Sequence, residues 1–211
     1  MEGGGLMAAV LPTKGNLMAA KRSRTLAQTG YELMDRKRNI LVREMMELMD
    51  SASQLQREID QVFSQAYAAL ARAHIELGLC DHIAEGVVPD DSLDIRWRSV
   101  MGVELPHIPD NPPPRPEYSM VYTSPALDEA YIQFQKVKDL TRRMAEIETS
   151  IYRLAQSIKK AQKRANALRN IVIPGFDSTI RTITEALEEK EREDFSRLKV
   201  IKTQKNASRK E

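Results

Sequence analysis

The chain is 211 residues long, 42% hydrophobic and 29% charged but only 5% aromatic, a balance that suits long helices better than a thick globular core. Its 32 basic and 30 acidic residues leave a net charge of +2, which excludes a strong whole-chain field for nucleic acid or anionic lipid. The single cysteine, Cys80, excludes an intramolecular disulfide framework and fits a reducing cytosol. No apolar run approaches the roughly 20 residues needed to span a bilayer, so no direct membrane insertion is expected.

Residues 1–11 read as a flexible leader. A first helix is expected over 12–84, opening at Pro12-Thr13, where a proline and a capping hydroxyl are favoured, and stopping near Gly78 or Gly86. Its apolar positions Leu41, Met45, Leu48, Ala52, Leu55, Ile59, Val62 and Ala66 alternate steps of 4 and 3, a heptad seam that a partner helix must bury. Two consecutive steps of 4 at Val62, Ala66 and Leu70 predict a stutter that locally relaxes the supercoil.

Residues 85–123 form a linker and insert. From Ser92 to Leu105 the period changes to 2: Leu93, Ile95, Trp97, Met101, Val103 and Leu105 fall on odd positions, the pattern of one half-buried strand. A second run with Tyr118, Met120 and Tyr122 on one face completes the expected β-hairpin. Two strands alone are marginal in water, so the hairpin must lean on a helix or a partner, with Trp97 as the anchoring side chain.

A second helix is expected over 124–203, with a seam at Met144, Ile147, Ile151, Leu154, Ile158, Ala161, Ala165, Leu168 and Val172 that resumes at Phe176, Ile180, Ile183 and Leu187. Residues 204–211 read as a flexible tail. Two seams joined by a short insert pair most simply as an antiparallel two-helix coiled coil, so the fold class is mainly α with a small β-hairpin at one end. At 1.5 Å per residue such helices make a rod on the order of 100 Å long. Pro174 interrupts the second helix; a mid-helix proline costs about 3 kcal/mol or more. The seam across it suggests a kinked but continuous helix, with Pro174 facing Gly30-Tyr31, where a small residue keeps the helices close.

Charge is unevenly placed. Lys14 to Arg43 contains eight basic and two acidic residues, and Arg153 to Arg169 six basic and none acidic. Antiparallel pairing would set Lys159, Lys160, Lys163 and Arg164 beside Arg36, Lys37, Arg38 and Arg43 as a basic sleeve, suited to acidic protein loops or simply to solvent. In EEKERED, Glu188 with Arg192 and Lys190 with Asp194 are expected i,i+4 pairs. Cys80 and His82 lack a second pair at zinc spacing, and neither a nucleophile elbow nor a phosphate loop is present. Catalytic residues, metal ligands and cofactors are therefore expected to be none.

The segments RANALRNIVIP and IRTITEALEEKEREDFSRLKVIK, with PTKGNLMAAKRS, GYELMDRKRNILVREM and SVMGVELP, resemble the D subunit of V-type and A-type rotary ATPases, of the bacterial or archaeal type. The resemblance covers nearly the whole chain in the right order; Gly175 departs from the larger polar or basic residue more usual there. It implies a non-catalytic central rotor shaft, cytoplasmic and peripheral to the membrane. The implied partners are the A and B subunits of the head, the F subunit beside the coil, and the funnel-shaped subunit above the membrane ring. Partner contacts are expected at Arg36, Lys37, Arg38, Lys160, Arg164, Pro174 and Trp97. A non-rotary coiled-coil scaffold is the competing reading; nucleic-acid binding through the sleeve, which predicts strongly salt-dependent affinity, is the weakest because the total charge is near neutral.

Overall fold

Thr13 starts the first helix by local chemistry: its Oγ1 accepts the Asn16 backbone N–H at 3.2 Å and its carbonyl accepts the Leu17 N–H at 3.0 Å, satisfying donors that a helix start leaves open. Helix α1 then runs over Lys14–Leu77. It ends at Gly78, whose φ of 77° is left-handed backbone that glycine adopts without a Cβ penalty, and whose N–H bonds the His74 carbonyl at 3.0 Å. Of the two glycines that could have stopped α1, Gly78 does so.

The computed structural model describes residues 11–78, 93–109 and 123–207. Cys80, His82 and the expected strand at Tyr118, Met120 and Tyr122 lie outside them. The described residues fall into two compact units, one drawn from Met1–Arg36 and Lys160–Glu211 and the other from Lys37–Lys159.

In the Lys37–Lys159 unit, α1 packs antiparallel against helix α2, Pro125–Ala167, which opens with Pro125 after Ser124, whose Oγ and carbonyl both accept the Leu127 N–H. Leu41, Ile59, Ala66, Ala69 and Ala73 on α1 and Ala130, Val137, Leu140 and Leu154 on α2 are buried. The expected stutter is absent. Ala69 is buried and Leu70 only half-buried, so steps of 4 and 3 continue from Leu41 to Ala73. Ala66, Ala69, Ala73 and Ala130 present only methyl groups to the seam, a composition that permits close helix approach. Outside it, Tyr67 stacks on Phe63 at 6.0 Å and meets Phe134 edge-on at 5.6 Å.

The hairpin corrects the sequence reading. Instead of one strand over 92–105, strand β1 is Arg96–Val100 and β2 is Val103–His107, paired antiparallel with Val100 opposite Val103 and Arg98 opposite Leu105. Met101 and Gly102 have φ of 51° and 74°, the double positive φ of a two-residue turn whose twist matches the strands. That turn couples odd positions of β2 to even positions of β1. Leu105 therefore shares a face with Val100 and Val103 and is fully buried against Leu41 and Leu154. Ile95 and Trp97 lie on the other parity and are exposed.

In the other unit, α2 passes through a π-helical turn, Leu168–Val172, into helix α3, Ile173–Ala207. Cross-helix partners are again antiparallel: Gly30 lies against Leu168, Arg24 pairs with Asp177 at 3.0 Å, and Lys14 with Glu191 at 2.9 Å. Leu168, rather than Pro174, is thus the residue at Gly30. The backbone irregularity precedes the proline: Ile173 is αR, and its N–H bonds back to the Leu168 carbonyl, five residues away. Helical backbone resumes directly on both sides, so the segment does not break into independent helices. Val172, expected in the seam, is 36% exposed, and half-buried Ile173 takes its place.

Candidate functional site

A cluster of specific side-chain contacts holds the hairpin to the helices of the Lys37–Lys159 unit. Leu105 supplies the apolar anchor, with Met45, Leu48, Val100, Val103 and Ile158 packed around it. Polar contacts surround this core. Arg98 pairs with Glu44 at 3.2 Å. The Arg153 guanidinium lies over the Trp97 ring, 4.5 Å from its centroid, and donates to the Glu104 carbonyl at 3.1 Å. Glu146 meets His107 Nδ1 at 3.1 Å and accepts the Ile108 backbone N–H at 2.8 Å. Leu105, not Trp97, is the buried anchor; Trp97 touches α2 through Arg153 while 56% of it stays exposed.

The sequence-predicted contact residues divide between the units. Lys37 and Arg38 belong with Trp97 to the Lys37–Lys159 unit; both cations are half-buried, and Arg38 Nη2 donates to Asn39 at 3.1 Å. Arg36, Lys160, Arg164 and Pro174 belong to the other unit and are exposed. Lys160 and Arg164 make no ion pair with another described residue. Arg153, Glu146 and Glu44 escaped sequence reasoning, because their roles depend on which hairpin face meets which helix.

The far part of α3 is a second distinctive surface. Past Glu191, the ion-pair partner of Lys14, it continues to Ala207, and Phe195, Leu198, Val200 and Ile201 are 69%, 64%, 57% and 59% exposed. An open depression on the same helix is lined by Ser196, Lys199, Val200, Thr203 and Gln204. In the charged patch Arg192 pairs with Glu189 at 3.7 Å rather than with Glu188, and Arg197 with Glu193 at 3.5 Å. Arg181 donates to Glu185 at 2.9 Å, and this hydrogen bond, with the attraction of the carboxylate, raises its already high pKa. Such exposed pairs contribute little to stability.

Among the described residues no group of three or more His, Cys, Asp or Glu is placed to hold a metal ion. None of the described helices is long and apolar enough to cross a membrane.

The family model for the ATP synthase D subunit matches residues 16–203. The V-type ATP synthase D subunit of Thermotoga neapolitana is 42% identical over 196 residues, 92% of this chain and 97% of that protein. The A-type ATP synthase D subunits of Pyrococcus furiosus and Thermococcus gammatolerans are each 38% identical over 199 residues, 92% of this chain and 93% of theirs. With the helix pairing, the hairpin and the length of the match in agreement, the chain belongs to the family of ATP synthase D subunits.

Proposed function

We propose that this chain is the central rotor shaft of a V/A-type ATP synthase, a non-catalytic component that transmits torque between the A/B hexamer and the membrane ion-translocating ring. Its partners are the A and B subunits, the F subunit, and the funnel-shaped subunit that joins the shaft to the ring. In this reading the chain is cytoplasmic and peripheral to the membrane. Similarity to named D subunits over nearly the full chain supports membership of the complex. The observation that carries the shaft reading is the end of α3, where Phe195, Leu198, Val200 and Ile201 stay exposed beyond the last ion pair with α1. An exposed apolar run of this kind marks a surface that another protein covers, and a hexamer closing around the shaft end would cover it from all sides. Lys160 and Arg164, exposed cations away from this end, are available to acidic loops of the head.

The test is reconstitution of the A/B hexamer with the parent chain and with Phe195→Asp/Leu198→Asp/Ile201→Asp. Placing carboxylates where apolar surface is buried should abolish stable assembly or uncouple ATP turnover from rotation. Unchanged assembly and coupling would remove the shaft reading. A stable homodimer that captures no hexamer would favour the coiled-coil scaffold instead.

A further inference from the structure

Up to Leu168 the covered face of the helix advances regularly through Ala161, Ala165 and Leu168. An α-helix continuing this alternation of 4 and 3 would next turn Val172, Gly175, Thr179 and Thr182 toward α1, a face too small and polar to fill a seam. Ile183 is instead buried and Ile173, Phe176, Ile180 and Leu187 are half-buried, each one position later than the alternation requires, while Val172 and Thr182 are exposed and Gly175 and Thr179 only half-buried. The step from Leu168 to Ile173 spans five residues, and it coincides with the Ile173 N–H to Leu168 carbonyl bond of the π turn. A π turn closes its hydrogen bond five residues back instead of four and so takes in one residue more than an α turn.

We propose that Leu168–Val172 is a one-residue register joint, dictated by the offset between the two seams rather than by Pro174. The apolar residues on each side bury against α1 only if one surplus residue is absorbed between them, and the joint turns that surplus outward, leaving Ile171 71% exposed. Pro174 is then a passenger: it occupies the turn after the joint, where a missing N–H costs least because the regular ladder is already displaced. The inference concerns the chain alone and holds whether or not it is a shaft.

The test uses three variants of the full chain: deletion of Asn170, insertion of one alanine after Asn170, and Pro174→Ala. Removing the surplus residue should let the turn close as an α-helix with both seams aligned, so the deletion variant should melt within about 3 °C of the parent. The insertion, which asks one turn to absorb two residues, should melt roughly 10 °C or more below it. In a crystal structure of Pro174→Ala, Ile173 N–H should still bond the Leu168 carbonyl. The inference is overturned if the deletion melts as low as the insertion, if the insertion is as stable as the parent, or if Pro174→Ala restores an α bond from Ile173 to the Arg169 carbonyl.

Discussion

Met101 has a left-handed backbone, with φ of 51°, and its side chain is 48% exposed. Strain of this kind costs on the order of 1 kcal/mol for a residue with a Cβ, and asparagine tolerates it best among non-glycines. Met101→Asn should therefore stabilise the chain by about 1 kcal/mol, measurable as a higher denaturant midpoint; a lower midpoint would mean that the methionine side chain packs usefully. Leu105 lies at the opposite extreme, fully buried between Leu41 and Leu154. Leu105→Ala should cost about 2–5 kcal/mol through lost burial and a residual cavity, with hydrogen exchange accelerating first in the strand amides. Gly30 gives a third case. A Cβ there would meet Leu168 Cδ1 at 3.8 Å, an ordinary contact, so the glycine is not needed for close approach. Gly30→Ala should raise stability by about 1 kcal/mol through helix propensity and a smaller unfolded-state entropy, and thermal melting would register it.

At the scale of elements, the hairpin is too small to stand alone and takes its stability from the helices. Glu146 serves two of its groups at once, the His107 ring and the Ile108 N–H. Glu146→Ala should leave that backbone donor without its partner and cost about 1–3 kcal/mol, read as faster exchange of the Ile108 amide with little change along α1. Uniform loss of protection across both helices would show instead that hairpin and helices unfold as one. Heptad spacing made the helix pairing legible: Leu41, Ile59 and Leu154 are buried where the period places them. The hairpin was legible as strand but not in its topology. Alternation fixes which residues share a face only along an uninterrupted strand, and the two-residue turn at Met101-Gly102 exchanges the parity. A glycine inside a period-2 run was the available signal.

For the whole molecule, the charge distribution bears on assembly more than on folding. Lys160→Glu with Arg164→Glu should leave melting nearly unchanged, because exposed charges contribute little to stability. Under the proposed function it should slow association with the head and invert the salt dependence of that step, which kinetics at two ionic strengths would reveal. Identical kinetics at both would reduce the basic residues to a solvated face.

Periodicity, composition and the resemblance of particular segments were enough to determine an antiparallel helical pair, its hairpin insert and its family. They act over many residues, so a single irregularity does not erase them. Tertiary packing alone decided the one-residue choices: Ala69 over Leu70, Ile173 over Val172, Leu105 over Trp97. Neighbouring apolar residues satisfy a helical or strand period almost equally well. Which of them is buried depends on the shape of the surface opposite and on how the backbone takes up a surplus residue, and neither is written in the spacing of one segment.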